Sequence, residues 1–141
     1  MTFGEHYKGL KAELPPLIGL DIAWDYVYIE DVIDAYLLAT TRVGQEPGAI
    51  YNVGKGVQIS LREVVEVAGS VLEIAVPPQW VYMSNRHWDT TVWVSDNKKI
   101  WDELGGRPQY GINQGFRQMV NWFRENPALW EIYRGPYPQV E

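Results

Sequence analysis

The stretch Trp24-Asp25-Tyr26-Val27-Tyr28-Ile29-Glu30-Asp31-Val32 changes character halfway along. Its first part, Trp24 to Ile29, is aromatic and β-branched, a composition that suits a strand or extended segment. Glu30 and Asp31 then open a helix expected to run to about Arg42. Acids in its first turn and Arg42 near its end match the helix macrodipole. Val32, Tyr36, Ala39 and Val43 recur at helical spacing and are expected to face a core, with Ile33 and Leu37 widening the stripe. A strand passing directly into an amphipathic helix is the unit from which α/β folds are built.

Working outward, Gly44 to Gly48 reads as a turn and Ala49 to Val53 as a short strand, stopped by Gly54-Lys55-Gly56. That lysine does not mark a P-loop. Five residues separate Gly48 from Gly54 where four are required, and Gly56 occupies the hydroxyl position. Ser60 to about Leu72 is the best-specified helix: Ser60 and Glu63 have capping-box spacing, and Ile59 and Val64 hold the positions of a hydrophobic staple. Val64, Val67, Ala68 and Val71 form its core stripe, with Gly69 a weak point. Ile74 to Val76 suits a strand, ended by Pro77-Pro78. Asp96 or Ser95 is expected to cap a helix through about Leu104, stopped at Gly105-Gly106. Asn113 is expected to cap a last long helix with Phe116, Met119, Val120 and Phe123 on one face, turned off at Pro127.

Residues 1–23 read as an irregular segment, 24–126 as an α/β domain and 127–141 as a tail. Tyr7 and Lys11 form Tyr-x-x-x-Lys, a spacing some dehydrogenases use, but Gly9 lies inside the turn, and the pair reads as a chance spacing. No Gly-x-Gly-x-x-Gly follows any expected strand, so the dinucleotide fingerprint is missing.

A chain of 141 residues makes one ordinary domain with a real core. A net charge of −6 argues against nucleic-acid binding, which calls for a basic face. The absence of cysteine excludes disulfides and thiolate metal sites, and two histidines, His6 and His87, are too few and too far apart for a dedicated metal site. No apolar run has transmembrane length. The expectation is a soluble, cytoplasmic domain with no membrane partner.

The chemistry gathers in Asn85-Arg86-His87-Trp88-Asp89-Thr90-Thr91-Val92-Trp93-Val94-Ser95-Asp96. Neither an amphipathic helix nor a core strand needs that mixture. Arginine's planar fork grips phosphate bidentately, a carboxylate accepts from sugar or ribose hydroxyls, and an indole offers a stacking face. Arg86, Asp89 and Trp93 are thus candidates to bind a ligand carrying phosphate, hydroxyls and a flat face; a surface loop with an incidental Arg–Asp pair is the plainer reading.

Three blocks in order resemble one family. Asp25-Tyr26-Val27-Tyr28-Ile29-Glu30-Asp31-Val32 is the first. Ile50-Tyr51-Asn52-Val53-Gly54 with Ser60-Leu61-Arg62-Glu63 is the second. Arg86-x-x-Asp89, leading to Val94-Ser95-Asp96-x-x-Lys99 and Leu104-Gly105, is the third. From Trp24 to Asn126 the chain resembles the C-terminal part of extended short-chain dehydrogenases/reductases, the nucleotide-sugar epimerase and dehydratase group. Spacing in the third block is similar to that of UDP-galactose 4-epimerases and CDP-sugar epimerases.

The resemblance implies the substrate-binding C-terminal portion of an extended Rossmann-type epimerase, lacking the N-terminal dinucleotide-binding half. It implies that Arg86 holds the diphosphate of a nucleotide sugar, Asp89 accepts from its ribose and Trp93 neighbours the sugar. Asp96 and Lys99 read as cap and surface, and Asn52 as strand and turn structure. NAD or NADP is implied, bound outside this chain, and no catalytic or cofactor-binding residue is assigned within it. A homo-oligomer and an N-terminal Rossmann half are the implied protein partners. One departure stands out: the family's arginine ahead of Asp25 is Trp24 here, which can stack but cannot neutralise phosphate. The alternative is a stand-alone, non-catalytic nucleotide-sugar binding or assembly module.

Overall fold

A computed structural model describes residues 17–19, 22–41, 47–74, 78–81 and 92–129. Four short strands and four helices are described in chain order: β1 Leu17–Ile18, β2 Ala23–Trp24, α1 Ile29–Thr41, β3 Ile59–Ser60, α2 Leu61–Leu72, β4 Trp80–Val81, α3 Lys98–Leu104 and α4 Ile112–Glu125. β1 pairs with β4 in parallel, Leu17 opposite Trp80, while β2 pairs with β3 antiparallel, Ala23 opposite Ser60. The parallel pair is only two residues long, and its strands, Leu17–Ile18 and Trp80–Val81, are not among those expected from the sequence.

Two packing centres hold these elements. Ala35 of α1 meets Ile100 and Leu104 of α3, with Leu38, Ala39, Tyr51 and Trp101 closing round them. Separately, α2 lies against α4, burying Ala68 and Val71 on one side and Val120 on the other. Gly115 of α4 is tight against Tyr28, since a Cβ there would stand 3.0 Å from the ring. A side chain at 115 would require Tyr28 or the helix to give by a few tenths of an ångström.

α2 forms as its sequence directs. Ser60 Oγ accepts from the Glu63 amide at 3.2 Å, and Glu63 Oε2 accepts from the Ser60 amide at 2.8 Å, completing the capping box. At the other end Glu73 closes the helix in the left-handed region at φ 55°, its amide donating to Gly69 O. α3 ends at Leu104 with Gly105 left-handed at φ 71°, as the glycine pair foretold.

Four expectations need correction. Tyr36 is 72% exposed, and Ile33 and Leu37 also face outward; Ala39 packs inward as expected, but the rest of the inward face of α1 runs through Asp31, Ala35 and Leu38. Residues 49–53 form no strand here, and Ile50 is 82% exposed. β-branched and aromatic composition favours a strand only when a neighbouring strand offers its hydrogen bonds. Likewise, the extended run after β2 pairs only through Ala23 and Trp24, so 25–28 is irregular. Finally, α4 starts from Gly111 rather than Asn113, whose side chain accepts from Arg117 Nε at 2.8 Å one turn on. Met119 lies at the exposed margin of that helix. Ile74 borders a segment, 75–77, outside the described residues, as do Arg42, Val43 and 130–141.

Candidate functional site

Asp25 is where three distant segments meet. Its Oδ1 accepts from the Lys55 amide at 2.8 Å and its Oδ2 from the Gly56 amide at 3.0 Å. Oδ2 also accepts from Ser95, through the amide at 3.1 Å and the hydroxyl at 2.7 Å. The Ser95 hydroxyl lies 2.9 Å from Asn97 Oδ1 as well, but it has one proton, and the shorter contact to a charged acceptor takes it. Burial pushes the Asp25 carboxyl up, and the hydrogen bonds from Ser95, Gly56 and Lys55 outweigh it, holding the group below its ordinary value.

Gly54 is enclosed by this cluster. A Cβ on it would come within 2.5 Å of Asp25 Oδ2 and closer still to Ser95 Oγ. Asn97, only 3% exposed, donates through Nδ2 to Gly54 O at 2.9 Å, and Asn52 Nδ2 donates to Asp96 O at 3.2 Å. Together these bonds draw 52–56 and 95–97 side by side. The groove above them, about 450 Å³, is lined by Asp25, Asn52 and Val53 on one side and by Trp93, Val94 and Ser95 on the other.

Trp93 is 61% exposed on the wall of this groove, so its ring is free to meet a flat ligand. Arg86 and Asp89 lie outside the described residues. Asp96 acts at a helix start, its Oδ1 accepting from the Lys98 amide at 2.9 Å. Lys99 places its ammonium 5.1 Å over the Tyr51 ring. Trp24, standing where an arginine was expected, is edge-on to Tyr26 with centroids 6.0 Å apart and is not among the groove's lining residues.

Asp31 makes a second tie of the same kind. Only 6% exposed, it accepts from the Gln109 amide at 2.6 Å and the Tyr110 amide at 3.2 Å. Tyr110 packs against Tyr28 with centroids 4.9 Å apart, and its hydrogen bond to Glu30 raises the phenol's pKa. A cavity of about 360 Å³ opens beside this tie, between α1, α3 and the Arg107–Gln109 loop. The buried Trp101 Nε1 has no hydrogen-bond partner among the described residues.

Neither aspartate was assigned to the site from sequence, Asp31 being read only as a first-turn acid of α1. The signal available was a carboxylate at each end of an aromatic run, with a Gly-Lys-Gly turn downstream whose exposed amides need acceptors.

Those spent amides also bear on a dinucleotide. The turn at Gly54–Gly56 gives its Lys55 and Gly56 donors to Asp25, and the α2 N-terminus is closed by its capping box. Neither of these two donor sets is free for a pyrophosphate.

No known family profile matches the chain. UDP-glucose 4-epimerase of Mycolicibacterium smegmatis is 34% identical over 101 residues, covering 71% of this chain and 31% of that enzyme. The mouse dTDP-D-glucose 4,6-dehydratase is 28% identical over 112 residues, covering 76% of this chain and 31% of the enzyme. Among solved structures, RMD from Pseudomonas aeruginosa complexed with NADPH superposes with a TM-score of 0.69 at 24% identity, over 86% of this chain and 39% of its own. WbmF of Bordetella bronchiseptica, in complex with NAD+ and UDP, gives 0.68 at 23%, over 84% and 34%.

The described architecture is thus a partial, C-terminal α/β domain of the Rossmann-type epimerase fold. The chain resembles the C-terminal part of the extended short-chain dehydrogenases/reductases, the group to which these nucleotide-sugar epimerases and dehydratases belong. It spans about a third of the length of the relatives it matches.

Proposed function

We propose that this chain is the nucleotide-sugar-binding portion of an NAD(P)-dependent epimerase or dehydratase. The observation that carries the reading is the groove beside Asp25, which presents an exposed indole immediately after the segment bearing Arg86 and Asp89. In this assignment Arg86 grips the diphosphate, Asp89 accepts from the ribose hydroxyls and Trp93 stacks on a flat face of the ligand. The nicotinamide supplies hydride chemistry in such enzymes; the residues of this chain bind the substrate and orient it.

The outer face of α1 supports the companion proposal that a dinucleotide-binding portion packs here. Ile29, Ile33, Tyr36 and Leu37 recur along that face and are all exposed, while Ala35, Leu38 and Ala39 pack inward. A helix apolar on both sides is built to be covered on both. Without that cover the chain self-associates, and sedimentation velocity tests this: a strict monomer with an ordinary cooperative melt counts against it.

Calorimetric titration with UDP and a UDP-sugar tests the site. Arg86→Ala removes a charge-assisted contact and is expected to weaken binding by about 1.5–3 kcal/mol. Equal affinity in the variant overturns the phosphate assignment. If neither this chain nor its assembly with a dinucleotide-binding portion binds UDP, the whole reading fails.

A further inference from the structure

We propose that Asp25 is a positioning residue of the groove, fixing the wall that carries Trp93 through its hold on Ser95. The inference rests on the groove being the nucleotide-sugar site. Asp25 does not present a free carboxylate to a ligand, because four donors already converge on it: the amides of Lys55, Gly56 and Ser95 and the Ser95 hydroxyl. Two of the segments so joined line the groove, one through Val53 and Gly54 and the other through Trp93 to Asp96. The joint has no slack, since Gly54 is too close to Asp25 and Ser95 to carry even a Cβ. Trp93 is two residues from the gripped serine, so the span available to its backbone is set by Asp25.

Asparagine is nearly the same shape as aspartate, but its amide nitrogen donates. Set among four inward-pointing donors, that end repels an amide instead of accepting from it. Asp25→Asn therefore opens one side of the joint without removing bulk. Asp31 provides a matched control, because it also ties backbone amides, at Gln109 and Tyr110, and is not among the groove's lining residues.

The test uses the full 141-residue chain labelled with 5-fluorotryptophan, the Trp93 fluorine resonance being assigned by its loss in Trp93→Phe. Asp25→Asn is expected to shift or broaden the Trp93 resonance and weaken UDP binding about tenfold or more. Ser95→Ala is expected to move the same resonance by less. Asp31→Asn is expected to lower the melting temperature while leaving the Trp93 resonance and UDP affinity as they were.

The proposal is overturned if the Trp93 resonance of Asp25→Asn coincides with the wild type, or if Asp31→Asn moves it equally. It is also overturned if the resonance moves while UDP affinity holds. Should Asp25→Asn fail to fold, Ser95→Ala carries the test, and an unmoved resonance there overturns it. A wild-type chain that binds UDP neither alone nor in its assembly with a dinucleotide-binding portion refutes the assignment of the groove instead; the fluorine spectra still decide whether Asp25 sets the ring.

Discussion

α1 and α2 are helices of 13 and 12 residues, yet they complete themselves differently. α2 is amphipathic, closed at its start by Ser60 and Glu63 and at its end by Glu73, with Ala68 and Val71 buried and α4 packed against it. α1 buries Ala35 against α3 and leaves Ile29, Ile33, Tyr36 and Leu37 on the opposite side. The difference teaches that α2 finds its partners among the described residues, whereas α1 is made for two layers and finds one. Apolar surface left uncovered on a regular helix is informative where scattered exposed leucines are not.

The comparison can be broken most forcefully at the inner side of α1. Ile100 is 4% exposed and packs against Ala35 and Leu104, so Ile100→Ala is expected to cost about 2–5 kcal/mol in urea unfolding. A loss under 1 kcal/mol would mean that α1 is not held there. For α2, Ser60→Ala removes a cap and is expected to cost about 1 kcal/mol; no change would show that tertiary packing alone fixes the helix.

Gly69 sharpens the contrast in the other direction. A Cβ there finds nothing nearer than Ile74 O at 3.9 Å, so Gly69→Ala is expected to add about 0.5–1 kcal/mol by relieving backbone entropy. The smallest expected change in stability belongs to the outer face of α1. Ile33→Lys with Tyr36→Lys should alter the unfolding free energy of the isolated chain by no more than about 0.5 kcal/mol while reducing its self-association in sedimentation. A large loss of stability would place those side chains in a core.

What could be read from the sequence follows the range of each interaction. The capping box was legible because Ser60 and Glu63 are three residues apart and their geometry is local. The stop of α3 at Gly105 was legible for the same reason. α1 was legible as a helix but only partly in its phase, since Ile29, Ile33, Tyr36 and Leu37 make one apolar side and Ala35, Leu38 and Ala39 another. Periodicity alone does not say which of two such sides the domain will use. The strand expected at Ala49–Val53 has the right residues and no strand beside it, a fact about the surroundings of Ile50 rather than about Ile50.

The groove was legible only in part. Trp93 was found by its chemistry and does stand on a groove wall. Asp25 and Asp31 were missed because all but one of their partners are backbone amides far along the chain, which carry no residue-type signature. Nothing about Lys55, Ser95 or Gln109 as side chains announces that their N–H groups will converge on a carboxylate.

Those long reaches also set an order of assembly. Asp25 and Ser95 are separated by 70 positions and Asp31 and Gln109 by 78, whereas the α2 cap closes over three. Closing long loops costs chain entropy before any contact repays it, and topologies rich in such contacts fold slowly. α2 can therefore form early on local information, while the two aspartate ties wait for the chain to come round. In a nascent chain Asp25 emerges long before Ser95, so the groove cannot close until that serine arrives, and a ligand meeting the chain before then finds only an unformed wall.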